Sequence, residues 1–283
     1  MTVADTYFAI GKTHEVCQDF GTADDPGQSG LSSLRAYAIV CDGCSASPDT
    51  DWGARFLARA AANAFEPLDP LTVIQKADGY RKALELHPQA LDATVLLVKE
   101  TRDGDAEVTV YGDGVVVARK RDGSGYESWS LSFSLNAPAY LSYLLDPERL
   151  ATYRSMGGGI LTTVTNKGTA DVLCPPERVA DPTEVVPDLA PNFHRVFPKA
   201  EYDVVLVLSD GAESFQKREG TRFVPVPLAE VLVQVLDFKT LTHGFIKRRV
   251  GRFLTKFCPQ NEWQHNDDFA VAGMVLDASE MVP

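Results

Sequence analysis

Short apolar runs that stop at acidic turns dominate the hydropathy pattern of this chain. Ala36-Tyr37-Ala38-Ile39-Val40-Cys41 and Val204-Val205-Leu206-Val207-Leu208 are apolar enough to be strands buried on both faces. Each ends abruptly, the first at Asp42-Gly43 and the second at Ser209-Asp210-Gly211. Tyr7 to Gly11 reads as a first strand, and Phe269 to Leu276, preceded by Asp267-Asp268, as the last. Between them Ala93 to Lys99, Glu107 to Arg119 and Tyr126 to Leu135 read as strands. The clusters Arg102-Asp103-Gly104-Asp105 and Asp122-Gly123-Ser124-Gly125 supply the turns that separate them.

Helical periodicity comes in two pairs. Trp52 to Phe65 places Phe56, Leu57, Ala60, Ala61 and Ala64 on one side. Asp69-Pro70 opens the next helix as N-cap and first residue, with Val73, Ala77, Tyr80 and Leu84 on one face and His87-Pro88 as its stop. The second pair spans Leu228 to Leu236 and Thr242 to Phe257, the latter with Ile246, Val250, Phe253 and Phe257 in register. Residues 136 to 200 are proline-rich, carry Gly157-Gly158-Gly159 and hold one strand candidate, Ile160 to Thr165. They read as a loop-rich flap inserted in a single domain covering 1–283. This order predicts an α+β fold in which sheets pack between helical layers.

Composition narrows the function. With 283 residues, 45% hydrophobic and 23% charged, the chain can bury a core without crosslinks. No apolar run approaches the ~20 residues of a membrane span. The start, Met1-Thr2-Val3-Ala4-Asp5, lacks a secretory pattern, so a cytoplasmic protein without membrane contact is expected. A net charge of −12 speaks against nucleic acid as a partner and suits a protein that gathers carboxylates around cations. The cysteines are Cys17, Cys41, Cys44, Cys174 and Cys258, an odd count that points to reduced thiols. Cys41 and Cys44 have C-x-x-C spacing, but a zinc site needs a second ligand pair, and Cys174 and Cys258 stand apart.

The acids fall where chemistry needs them. Asp19, Asp42, Asp210 and Asp267-Asp268 each lie beside a predicted strand end. Strand ends of one sheet can converge carboxylates with little conformational freedom, and Mg2+ or Mn2+ takes hard oxygen ligands of this kind. Taken singly, Asp-Gly is a common turn dipeptide. Two of them after fully apolar strands, with an Asp-Asp pair before a third, make a turn-only reading much weaker.

At these residues the sequence resembles the metal-dependent serine/threonine protein phosphatases (PPM, or type 2C) in their compact bacterial form. The resemblance runs from Gly11 to about Leu276 through Cys17-Gln18-Asp19, Val40-Cys41-Asp42-Gly43 and Gly53-Ala54-Arg55. It continues through Ala93-Thr94, Gly112-Asp113-Gly114, Leu208-Ser209-Asp210-Gly211 and Asp267-Asp268-Phe269-Ala270-Val271. It implies a four-layer αββα sandwich of two antiparallel sheets flanked by helix pairs. It also implies two Mg2+ or Mn2+ ions that activate a bridging water, with Asp42 bridging them and the Gly43 carbonyl on one. Asp210 and Asp267 would hold the other ion, Asp113 a weaker third, and Asp19 would organise metal-bound water. His14 stands where many members carry a phosphate-clamping arginine, and Cys44 where eukaryotic members carry a proposed general-acid histidine. The implied substrate is a phosphorylated protein, such as a kinase or its target. Two other activities fit the same residues: a catalytically weak module that binds phosphorylated partners, and a metal-dependent hydrolase of small phosphate esters.

Overall fold

The computed structural model describes residues 2–24, 35–64, 69–156, 159–168, 178–179, 183–184 and 190–277. Phe65, Gly157, Gly158 and Cys174, singled out above, lie outside the described residues. In chain order the elements are β1 (Val3–Ala9), β2 (Phe20–Asp24), β3 (Tyr37–Cys41), α1 (Thr50–Ala62), α2 (Pro70–Ala83) and β4 (Val95–Glu100). Then come β5 (Ala106–Tyr111), β6 (Gly114–Lys120), β7 (Tyr126–Phe133), α3 (Pro147–Ser155), β8 (Ile160–Gly168), β9 (Arg178–Val179) and β10 (Thr183–Glu184). β11 (Phe193–Phe197), β12 (Tyr202–Leu208), β13 (Phe215–Glu219) and β14 (Arg222–Pro225) precede α4 (Leu228–Leu236) and α5 (Phe245–Arg252). β15 (Trp263–His265) and β16 (Phe269–Val275) close the fold.

Two antiparallel sheets form the sandwich. The larger runs β1-β16-β12-β6-β7-β8-β10, with β9 also paired to β8; the smaller runs β11-β5-β4-β3-β2. Strand alternation sorts the side chains into three cores. Val116, Ala118, Val205 and Val207 meet Ala38, Val40, Leu96 and Val98 between the sheets. Their neighbours Val115, Val117, Val204 and Leu206 face outward under Val231, Val235, Ile246 and Val250 of α4 and α5. On the other side Ile39, Cys41, Val95 and Leu97 lie beneath Ala54, Leu57, Val73 and Ala77 of α1 and α2. That is why these strands read as unbroken apolar runs: both faces are covered. The αββα sandwich is the architecture expected from the sequence.

Several details differ from that expectation. The run from Glu107 to Arg119 is two strands in different sheets, because Gly112 and Gly114 adopt φ of 101° and 127° and turn the chain at Asp113. The first strand starts at Val3, where it pairs with Val275, and ends at Ala9 opposite Phe269. On α2, Asp69 caps as predicted by accepting from the Leu71 and Thr72 amides, but Ile74 is buried while Tyr80 and Leu84 are 40% and 52% exposed. α5 begins only after Gly244, and β2 and the small sheet β14-β13-β15 carried no readable apolar signal. Within 136–200, read as a flap, β8 extends the larger sheet and β11 edges the smaller one. Among the described residues, no helix is long and apolar enough to cross a membrane.

Helix α1 packs closely on the turn that precedes β4. A Cβ on Gly53 would stand 1.5 Å from the Ala90 carbonyl oxygen. Intrinsic propensity alone makes Gly53→Ala stabilising by about 1 kcal/mol. Overpacking against fixed backbone costs about 1–3 kcal/mol and should win. Gly53→Ala is therefore expected to lower the urea midpoint; an unchanged or raised midpoint would show that α1 can lift off freely.

Candidate active site

The site forms at one end of the sandwich because antiparallel pairing brings five chain segments there. Leu208, the last residue of β12, pairs with Val115 on one side and Val271 on the other. Asp210 therefore emerges beside Asp113, which precedes β6, and beside Asp267-Asp268, which precede β16. Across the sandwich, Asp42 follows β3, and its backbone is braced on both sides. Its carbonyl accepts from the Thr94 amide at 2.8 Å, and its amide donates to the Thr94 hydroxyl at 3.1 Å. Gly43 bridges to Ala93, and the Cys44 amide donates to the Asp92 carbonyl at 2.8 Å, so the ladder continues past the strand end.

Asp42, Gly43, Asp113, Asp210 and Asp267 line one cavity of about 110 Å³, together with Cys44, Thr94, Asn136 and Tyr140. Asp19 is 1% exposed behind it. Its Oδ2 accepts from the Ser209 hydroxyl at 2.6 Å, while its Oδ1 is buried with no hydrogen-bond partner. Burial raises the carboxyls of Asp19 and Asp42 well above the usual range; Asp19 and Asp210 add charge repulsion at Asp42, and Asp210 and Asp268 do so at Asp19. Asp113 is pushed up to about 8, by burial first and then by Asp210. Asp267 is raised by the same two causes. Among the described residues, no three His, Cys, Asp or Glu groups are already arranged as a cage around a metal ion. The donors are nonetheless the hard oxygens that Mg2+ and Mn2+ take, and the partnerless Asp19 oxygen marks an unmet interaction.

Asp268 has a different task from its neighbour. It is 3% exposed, and its two oxygens accept from the Gly11 amide at 2.7 Å and the Gln18 amide at 2.6 Å. One carboxylate thus ties down both ends of the loop that carries His14 and leads to Asp19. Asp92 does the same for the opposite wall. Buried to 3% exposure, it takes the Ser47 hydroxyl at 2.9 Å, the Ser142 hydroxyl at 2.6 Å and the Arg149 guanidinium at 2.8 and 3.0 Å. It joins the Cys44–Ser47 loop to the segment that carries Asn136 and Tyr140. Sequence reading missed Asp92, Ser209 and the holding role of Asp268, because each acts through partners far away in the chain.

No family model matches this chain, and no curated protein does either. Solved structures do. The serine/threonine phosphatase Stp1 from Staphylococcus aureus is similar at a TM-score of 0.54 and 13% identity, over 98% of this chain and 96% of that one. A structure described as a bacterial serine phosphatase gives 0.52 at 13% identity over 97% of both chains. The PP2C phosphatase domain of Bacillus subtilis SpoIIE gives 0.51 at 11% identity, over 98% of this chain and 64% of that one. The fold is that of the PP2C-type phosphatases.

On this PP2C-type framework, His14 sits against carboxylates. Its Nε2 lies 3.4 Å from Asp267 Oδ1 and its Nδ1 3.1 Å from Asp268 Oδ2, the latter without hydrogen-bond alignment. Cys44 lines the cavity, whereas Cys41 is fully buried and its thiol is pushed up by burial. Cys17, Cys41, Cys44 and Cys258 are all free thiols.

The carboxylate cluster makes the metal-free protein sensitive to pH. Asp113, moved from 3.8 to about 8, keeps a proton in the folded state that the unfolded chain has already released. Stability should therefore fall as pH rises through that window. In chelator, Asp113→Asn is expected to melt above wild type at pH 8, with the gap closing towards pH 4. A variant that melts at or below wild type at pH 8 would remove Asp113 from the repulsive cluster.

Proposed function

We propose that this chain is a metal-dependent phosphatase acting on phosphoserine and phosphothreonine in proteins. The observation that carries this is the convergence of Asp42, Asp113, Asp210 and Asp267 on one cavity backed by the partnerless oxygen of Asp19. The likeness in fold to bacterial serine/threonine phosphatases supports the same substrate class. Asp42 and the Gly43 carbonyl would hold one Mg2+ or Mn2+, Asp42, Asp210 and Asp267 a second, and Asp113 a weaker third. Such ions supply a water of lowered pKa and neutralise charge on the phosphoryl group.

The remaining work falls to the chain itself. Ser209 occupies one oxygen of Asp19, which fixes the carboxylate and leaves Oδ1 to orient the attacking water and take its proton. His14 borders the cavity through Asp267, within reach of a phosphate placed there. Asn136 and Tyr140 shape the opposite wall, locked through the Asp92 network. Cys44 offers the leaving alkoxide only a thiol, a weak acid for that purpose. The latter feature, and the engagement of His14 by two carboxylates, favour a second reading: a module that binds phosphorylated partners with little turnover.

A panel of an aryl phosphate, phosphopeptides and a phosphodiester, each with Mn2+ and with chelator, separates the readings. Mn2+-dependent turnover of phosphopeptides is expected. Binding without turnover would select the second reading, and preference for the diester or the small ester would reject a protein substrate.

Substitutions at two residues test the assignments. Asp42→Asn keeps volume but removes the charge that two cations would share. Calorimetric Mn2+ affinity and turnover should fall together by at least about a hundredfold, since loss of a direct ligand should exceed what outer-sphere changes produce. Unchanged affinity would make Asp42 a turn residue only. His14→Ala should raise KM for phosphopeptides more than it alters Mn2+ affinity, with His14→Arg restoring binding. Wild-type KM in the alanine variant would make His14 solely a partner of Asp267 and Asp268.

A further inference from the structure

A cluster of cations lies at the end of the sandwich opposite the carboxylate cavity. β6 leaves Asp113 and reaches Lys120 about 20 Å away at ~3.3 Å per residue. There, two adjoining cavities open between the β6–β7 turn, the end of α4 and α5, sharing Asp237 and Phe238 in their walls. The smaller, of about 160 Å³, is lined by Lys239, Arg248, Arg249 and Arg252 against the single carboxylate of Asp237. Asp237 is already taken by Lys239 at 2.8 Å and Arg249 at 3.1 Å.

Two of the three arginines, Arg248 and Arg249, are held in place rather than left to wave in solvent. Arg248 donates to the carbonyls of Thr242 and His243 and to the hydroxyls of Thr240 and Thr242. Arg249 donates to the Gln234 carbonyl and, at 3.0 Å, to its side-chain oxygen. Among the described residues neither Arg248 nor Arg252 has a carboxylate partner, although the whole protein carries a net charge of −12. Like charges at i,i+4 on one helix destabilise it by a few tenths of a kcal/mol. The arrangement presents preorganised guanidinium forks of the kind that take phosphate oxygens.

The larger cavity measures about 560 Å³, within the range of small-molecule sites, and mixes the apolar Val233, Leu236 and Phe238 with Arg119 and Gly125. Arg119 is paired to Asp203 at 2.8 Å and lies over the Phe238 ring at 5.8 Å; Lys120, in the same wall, is paired to Glu127 at 3.2 Å, and Arg121 donates to the Lys199, Tyr202 and Leu276 carbonyls.

We propose that these joined cavities bind a small organic phosphate. Its phosphate sits among Arg248, Arg249 and Arg252, and its organic body lies along Phe238 in the larger cavity. The site is separate from the carboxylate cavity and does not depend on the catalytic reading.

Calorimetric titration of the full chain in chelator, at about 0.15 M salt to screen diffuse charge, tests this with inorganic phosphate, AMP and glucose 6-phosphate. Saturable binding is expected, tighter for an organic phosphate than for inorganic phosphate. AMP ahead of glucose 6-phosphate assigns an aromatic body, and the reverse order a polyol; either supports the site. The double variant Arg248→Gln/Arg252→Gln, exposed at both positions and titrated well below its melting temperature, should weaken binding at least about tenfold, and Arg252→Gln alone should weaken it in the same direction. Asp210→Asn should leave it unchanged. Absence of saturable binding by all three probes, undiminished binding in the double variant, or loss in Asp210→Asn would overturn the proposal.

Discussion

Carboxylates crowded at the end of an apolar sandwich repel one another, and most of the local architecture around them exists to hold that arrangement. Burial and mutual charge raise Asp19, Asp42, Asp113 and Asp267 together, so the cluster has no favourable state of its own in which every group is ionised. The cohesion lies elsewhere, in three apolar cores that fix the strands on both faces. A few aimed hydrogen bonds, from Thr94, Ser209 and the Gly11 and Gln18 amides, then fix backbone and side chains at the strand ends.

These supports divide the site into parts with different tethers. Asp210 and Asp267 leave neighbouring strands of the larger sheet. Asp42 leaves the smaller sheet with its backbone clamped by Thr94. The wall formed by Asn136 and Tyr140 belongs to neither ladder and is attached through Asp92 and Arg149. A change at the Asp92 network can therefore reshape access without moving the carboxylates, whereas a change at Ser209 acts on Asp19 directly.

Much of this was legible because burial on both faces leaves a strong trace. β3 and β12 read as strands, and the aspartates after them as the groups that mark their ends, since nothing but apolar residues can fill a strand covered twice. The break at Asp113 was not legible: valines continue on both sides of Gly112-Asp113-Gly114, and hydropathy does not register a change of sheet. β2 and the β14-β13-β15 sheet stayed hidden because partly exposed strands mix polar residues into the pattern. Tyr80 and Leu84 fit a helical face by spacing, yet α2 turns Ile74 and Asp78 inward instead. Asp92 and Arg149, 57 positions apart, form a contact that no local pattern encodes.

The crossing at Asp113 has a mechanical side. β5 belongs to one sheet and β6 to the other, and two glycines with positive φ make this aspartate part of the shortest covalent link between them among the described residues. A slip of one sheet over the other must stretch or turn this short link and so shift Asp113. The residue therefore works as a strain gauge for the sandwich, turning a deformation spread over many packed side chains into a displacement of one carboxyl group in the cavity wall.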